Sequence, residues 1–208
     1  MAVVLCVALG GAYLTSWVAT RAGLAVSSEM IFEGQWFTPS WDVFPWADCA
    51  GMAFFMVAVP LAWGRLRRFG TPEVGTQIDR TAAWSALVGL ACAACVYVLR
   101  RIFMPAGMQG AYCGKLSILM VYWFVVALAE EATFRSMLQR RLMQTSGIWL
   151  ALPSASVAFA LWHGLGAPAH IVGLRIAAGC GFGLLYWWSG RLFPNVLCHW
   201  AVNVAIVA

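Results

Sequence analysis

The sequence predicts an all-α fold, a polytopic bundle of about seven transmembrane helices with a catalytic cavity inside the bundle. Two features of the composition support the membrane class: 62% of the 208 residues are hydrophobic and only 10% are charged. Soluble domains carry about 25% charged residues, so this chain has too few polar side chains to cover a soluble core. The composition therefore excludes a soluble enzyme, a disordered chain and a secreted scaffold stabilised by disulfides.

Seven apolar runs approach the length of a membrane-spanning helix, which needs about 20 mostly apolar residues. We expect spans at residues 1–20, 46–64, 81–99, 112–144, 147–163, 171–189 and 192–208. The fourth is the longest because no Gly or Pro interrupts residues 116–141, where an apolar half continues directly into a polar half. A long tilted helix of this kind places Glu130 near its middle, where it can meet His163 at the end of the next helix.

Basic residues cluster in the short loops between these runs, which is typical of topology signals and not of a nucleic-acid-binding surface. With the N-terminus inside, seven Lys and Arg residues fall in the inner loops and four in the outer loops. This asymmetry predicts that the N-terminus lies inside. We expect a multi-pass protein of a bacterial cytoplasmic membrane. We expect the lipid bilayer as a partner, and no nucleic acid.

A pair of adjacent acids, Glu130 and Glu131, interrupts the longest apolar helix. A charge at the bilayer centre costs about 2.5–3.5 kcal/mol, so charges that persist there usually mark a functional site. Glu131 and Arg135 are four residues apart on one helix face and can form an ion pair. Glu130 points about 100° away and stays available for other chemistry. Taken alone, this segment fits a functional site and a helix end with solvated charges at the membrane interface equally well.

Two further spacings place polar side chains on helix faces inside apolar spans. Phe159 and His163 are four residues apart, and so are His199 and Asn203. Alone, each histidine also fits a structural role, as a residue bonded to a helix end or to a neighbouring helix. Together with Glu130, they supply a general base and hydrogen-bond donors for hydrolysis.

Two other polar residues of this region, Arg175 and His170, fit a structural or peripheral role better than a catalytic one. Arg175 interrupts the sixth span, where it can reach the interface or pair with a carboxylate. We expect His170 to lie in a loop.

The order of these three motifs resembles the CPBP family, the CAAX proteases and bacteriocin-processing membrane proteins. The family pattern is EExxxR, then FxxxH, then HxxxN or HxxxD. The matching segments are Glu130-Glu131-Ala-Thr-Phe-Arg135, Phe159-Ala-Leu-Trp-His163 and His199-Trp-Ala-Val-Asn203. The resemblance covers residues 116–208. The chain departs from the pattern at Ser136, where the family often has Gly.

The resemblance implies an intramembrane endopeptidase that acts on a membrane-associated protein or peptide. Glu130 and His163 would activate the water, while His199 and Asn203 would form the oxyanion site. The residues expected to support them are Glu131, Arg135 and Phe159. The chain is then one membrane domain over residues 1–208, with N-terminal spans in 1–111 and a CPBP-like catalytic core in 112–208.

Alternatives to a metal-free glutamate protease remain open at this point. Glu130, His163 and His199 also match a zinc ligand set of two histidines and one glutamate, although their spacing differs from H-E-x-x-H. We favour no cofactor, with zinc as the alternative. The same fold would also suit a catalytically silent immunity or scaffold protein. A proton-coupled transporter fits less well, because the sequence shows no internal repeat.

Overall fold

The computed structural model describes residues 2–21, 46–59, 62, 83–84, 87–91, 94–95, 98, 116–163 and 168–207. Six continuous helices account for most of them: α1 (Ala2–Arg21), α2 (46–58), α3 (116–146), α4 (Ile148–Trp162), α5 (Ala169–Ser189) and α6 (Leu192–Val207). The described residues between 83 and 98 are helical as well, and no strand occurs in the described ranges. The all-α prediction is confirmed.

The described helices support a membrane protein without establishing seven spans. Within the described ranges, α5 is the helix that is both long and apolar enough to cross a membrane. Shorter apolar helices lie at Val4–Thr15, Cys49–Ala58 and Ile148–Trp162. Span three is described only at scattered positions, and the boundary at residues 111–112 lies outside the described residues. The number of spans and the N-in orientation therefore stay predictions.

Helix α3 is the central element of the described bundle. Its α-helical start, Leu116–Glu131, continues into a π-helical segment, Ala132–Gln139, and then into a last α-helical part, Arg140–Ser146. The π segment packs against each of the other five helices. π-helical turns are rare and often occur at functional sites. The predicted long helix is thus present, and Glu130 lies near its middle, one residue before the last α-helical residue of the first part.

Three interhelical hydrogen bonds away from the two glutamates hold α3 against its neighbours. Two donors are on α3: the Thr133 hydroxyl donates to the Met56 carbonyl of α2 at 3.0 Å, and the Gln139 amide donates to the Gly183 carbonyl of α5 at 2.8 Å. From α6, the Trp200 indole donates to the carbonyl of Met120 at 2.8 Å. Such bonds stabilise membrane helix pairs by about 0.6 kcal/mol on average. They join α3 to α2, α5 and α6.

Glycines allow two helix pairs to approach closely. A Cβ on Gly179 of α5 would lie 3.0 Å from the Ser156 Cα of α4, and a Cβ on Gly89 would lie 2.8 Å from the Cys198 Cα of α6. Small residues at such contacts let backbones pack directly, as is common in membrane helix bundles. The close approach on the Cys198 side supports the part of α6 that carries the neighbouring His199.

The outside of the described bundle is apolar. Many large hydrophobic side chains are exposed, among them Trp149, Leu174, Trp187 and Trp188. Buried positions, in contrast, include an unusual number of polar side chains: Glu130, Glu131, Thr133, Arg135, Gln139, Ser156, Ser189, Asn195 and His199. An apolar exterior around a polar interior suits a protein whose solvent is lipid.

The structure corrects the prediction that His170 lies in a loop. Helix α5 begins at Ala169, so the exposed His170 lies in its first turn, and the helix starts two residues before the predicted span. Pro168 causes this early start because its extended backbone orients its carbonyl toward the helix. That carbonyl accepts hydrogen bonds from the amides of Ile171 at 2.9 Å and Val172 at 3.1 Å.

Candidate active site

Glu130 lies between two imidazole rings in the interior of the bundle. Its Oε1 is 3.4 Å from His163 Nε2, and its Oε2 is 3.5 Å from His199 Nε2. The three side chains come from α3, α4 and α6. The side chains of Glu130 and His199 are 6% and 4% exposed, whereas that of His163 is 24% exposed. The structure therefore brings together three of the four predicted catalytic residues, with His163 on the most accessible side.

Glu131 forms a second, fully buried centre directly behind this group. Its Oε2 accepts hydrogen bonds from Arg135 Nε at 3.2 Å and from the Asn195 side-chain amide. Its Oε1 accepts a hydrogen bond from His199 Nδ1 at 2.8 Å. The predicted Glu131–Arg135 pair is thus present, and the same carboxylate also binds one of the two histidines.

The hydrogen bonds at Nδ1 assign the tautomer of both histidines. An ionised carboxylate only accepts hydrogen bonds, so His199 carries a proton on Nδ1. His163 Nδ1 lies 2.8 Å from the backbone carbonyl of Phe159 and donates to it for the same reason. Each ring therefore turns its Nε2 toward Glu130, and Nε2 is the atom available for proton exchange or for a bond to a reactant.

Aromatic rings enclose the two imidazoles. Phe182 of α5 stacks on His199 with ring centroids 4.3 Å apart and an interplanar angle of 23°. Phe159 contacts both histidines, with its centroid 4.6 Å from that of His163 and 5.8 Å from that of His199. The guanidinium carbon of Arg135 lies 5.2 Å from the centre of the Phe159 ring. Phe159 therefore packs against both polar centres, as its predicted supporting role requires.

The two asparagines of α6 occupy different positions relative to this network. Asn203, predicted at the oxyanion site, is half-buried one turn after His199, and within the described ranges its side chain makes no hydrogen bond. Asn195, one turn before His199, is fully buried and binds Glu131. The sequence interpretation missed Asn195, although its four-residue spacing from His199 was a usable signal. It also missed Phe182, for which no motif gave a signal.

Arg175 contacts the end of α4, where His163 is located. Its Nη1 donates to the His163 backbone carbonyl at 3.0 Å, which satisfies a carbonyl at a helix terminus. This contact suits the structural role predicted for Arg175.

The alternative of a zinc ion was tested on the arrangement of its three predicted ligands. His163 and His199 face different oxygens of Glu130, at 3.4 and 3.5 Å. In the part of the chain that the structure describes, no group of three or more His, Cys, Asp or Glu side chains is arranged to hold a metal ion. The choice between a metal-free site and a zinc site therefore stays a prediction.

Several buried polar atoms around the two glutamates have no hydrogen-bond partner among the described residues. They are Glu130 Oε2, Arg135 Nη1 and Nη2, Gln139 Oε1 and Asn195 Oδ1. Both carboxylates thus lie in a region that offers donors and acceptors to small polar molecules, of which water is the smallest.

Comparison with known proteins gives one match. Residues 112–205 match the family described as Rce1-like, type II CAAX prenyl endopeptidase. No curated protein and no solved structure matches the chain. The matched region spans α3 to α6 and includes both glutamates, the two histidines that face Glu130 and the two asparagines. Residues 112–205 are therefore similar to the Rce1-like family, as the three motifs predict.

Proposed function

We propose that this protein is an intramembrane endopeptidase that hydrolyses a peptide bond of a membrane-associated protein or peptide with a water activated by Glu130. The Rce1-like match supports an intramembrane protease of the CAAX type in general. The observation that carries the specific mechanism is the buried Glu130 carboxylate between two Nε2 atoms, at 3.4 and 3.5 Å.

Glu130 acts as the general base in this proposal. In this proposal a water beside Oε1 donates one hydrogen bond to Glu130 and one to His163 Nε2. Glu130 takes one proton as the water oxygen bonds to the carbonyl carbon of the scissile peptide. The same proton then passes from Glu130 to the peptide nitrogen as the C–N bond breaks. Positioned acid–base groups of this kind accelerate reactions by about 10²–10⁴-fold.

His199 stabilises the tetrahedral oxyanion as an imidazolium. In this proposal His199 carries a proton on both ring nitrogens when the oxyanion forms. Its Nδ1–H is held by Glu131, and its Nε2–H is then the donor for the oxyanion. Asn203, one turn further along α6, is the proposed second donor. The loss of one oxyanion donor typically lowers kcat by about 10²–10³-fold.

The test compares Glu130→Gln and His199→Ala with the wild-type protein in liposomes. The substrates are internally quenched peptides with and without a prenylated cysteine. We expect kcat to fall by about 10²–10⁴-fold in both variants. His170→Ala is the matched histidine control, because His170 is exposed and outside the cluster, and it should cleave at the wild-type rate. Wild-type rates in both Glu130→Gln and His199→Ala would contradict the proposal.

A further inference from the structure

We infer that Asn195 is a positioning residue that fixes His199 through Glu131. Its side-chain amide and Arg135 hold Oε2 of Glu131, which leaves Oε1 to bind His199 Nδ1 and keeps Nε2 directed at Glu130. The catalytic consequence rests on the proposed function, whereas the orientation of the ring does not.

Asn195 is buried and makes one specific side-chain contact, with Glu131. Its side chain is fully buried, and its amide donates to Glu131 across 64 positions of sequence. A buried amide without a partner is costly, so the bond to Glu131 stabilises the conformation in which both groups meet. Because Asn195 and His199 are one turn apart on α6, they contact the two oxygens of one carboxylate from the same helix face.

Arg135 alone does not perform this task. It lies on α3 with Glu131, so their pair orients the carboxylate on its own helix without tying it to α6. The contact also uses only Nε, since Nη1 and Nη2 have no hydrogen-bond partner among the described residues. Asn195 adds a donor from α6 and fixes the position of the carboxylate relative to the helix that carries His199.

Without the Asn195 donor, the Glu131 carboxylate is held by the hydrogen bond from Arg135 Nε and can rotate away from α6. The hydrogen bond from His199 Nδ1 then becomes weaker, so that His199 also populates the neutral tautomer with its proton on Nε2 alone. In that tautomer His199 Nδ1 has no proton to donate to the Glu131 carboxylate. Glu131 then no longer holds the imidazolium of His199 with its Nε2–H directed at the oxyanion. Partners that orient histidines at metal sites are worth about 10- to 100-fold in affinity or activity, and we expect a similar loss of kcat here.

The experiment reads the histidine rings directly. The chain has three histidines, so ring-¹⁵N-histidine labelling gives a small set of signals, assigned with His163→Ala, His170→Ala and His199→Ala. In the wild-type protein in liposomes we expect the His199 ring to be protonated at Nδ1. In Asn195→Leu and in the isosteric Asn195→Asp we expect a mixture of ring forms. We also expect kcat to fall about 10- to 100-fold with KM changed less than about twofold.

Thr133→Val is the matched structural control. It removes a buried interhelical hydrogen bond from α3 without touching Glu131, and its His199 signals and kcat should stay at wild-type values. Unchanged His199 signals in both Asn195 variants would overturn the inference. If Asn195→Leu does not fold, the isosteric Asn195→Asp still tests the inference. If the ring forms change as expected but the wild-type protein cleaves no peptide, the positioning role stands and the proposed function fails.

Discussion

Removing either member of the buried Glu131–Arg135 pair should destabilise the protein, but by clearly different amounts. Both side chains are fully buried, and Arg135 Nε lies 3.2 Å from Glu131 Oε2. Glu131 accepts hydrogen bonds from three groups, whereas Arg135 is only one of the three donors. The substitutions Glu131→Leu and Arg135→Met therefore leave very different sets of unpaired atoms behind.

The magnitudes follow from these contacts. Removing one partner of a buried ion pair costs about 3–5 kcal/mol of unfolding free energy. Glu131→Leu also loses the hydrogen bonds from Asn195 and His199, at about 1 kcal/mol each, which gives about 5–7 kcal/mol. Arg135→Met removes the unpartnered Nη1 and Nη2 groups, whose burial costs about 1–3 kcal/mol each. Because this relief offsets most of the cost of breaking the pair, we expect Arg135→Met to cost only about 0–3 kcal/mol.

The assay is reversible unfolding of the purified protein in mixed micelles of increasing SDS fraction. The double variant Glu131→Leu/Arg135→Met should be more stable than Glu131→Leu, because it no longer buries an unpaired guanidinium. The coupling between the two sites should reach about 3 kcal/mol, the upper range for residues in direct contact. Thr145→Val, an exposed position on the last turn of α3, is the control and should change stability by less than about 0.5 kcal/mol.

Two results would refute this reasoning. One is an Arg135→Met variant that is as unstable as Glu131→Leu, since that would mean that Nη1 and Nη2 have partners. The other is a double variant whose destabilisation equals the sum of the single ones. In that case the two side chains do not act as one buried pair.

Two further predictions concern the packing of α6 and the choice of mechanism. Gly89→Ala should lower the unfolding free energy by about 1–3 kcal/mol, because the added Cβ would lie 2.8 Å from Cys198 Cα. The control is Gly181→Ala, which has open space around it and should be neutral or stabilising in the same SDS titration. Peptide cleavage should persist after dialysis against a zinc chelator such as phenanthroline. A loss of activity that added zinc restores would replace the glutamate mechanism with a metal-dependent one.

The local part of the site was predictable from sequence because it depends on helical periodicity alone. Glu131 and Arg135 are four residues apart within one helix, so their contact follows from the helix itself. Glu130, His163 and His199 come from three helices. Their spacing and polarity marked them as functional, but whether they meet depends on the packing of α3. The packing of α3 against α4 and α6 places Glu130 within 3.5 Å of both histidines.

The choice between Asn195 and Asn203 could not be made from sequence. Both are four residues from His199, so periodicity treats them equally. Which of them meets a carboxylate depends on the side of His199 on which α3 passes, and that is set by tertiary packing. The π segment was missed for a related reason, since α and π turns differ by one residue in hydrogen-bond register and the apolar pattern does not distinguish them.

The burial of Glu130 and His199 makes water itself a scarce reactant in the proposed reaction. Each peptide bond that is hydrolysed consumes one water molecule, and the next has to return to a site whose two central side chains are 6% and 4% exposed. The partly exposed His163 marks the side from which it can arrive. Rehydration then becomes a step of the catalytic cycle in its own right. The pace of the cycle depends on the water activity around the membrane as well as on the supply of peptide.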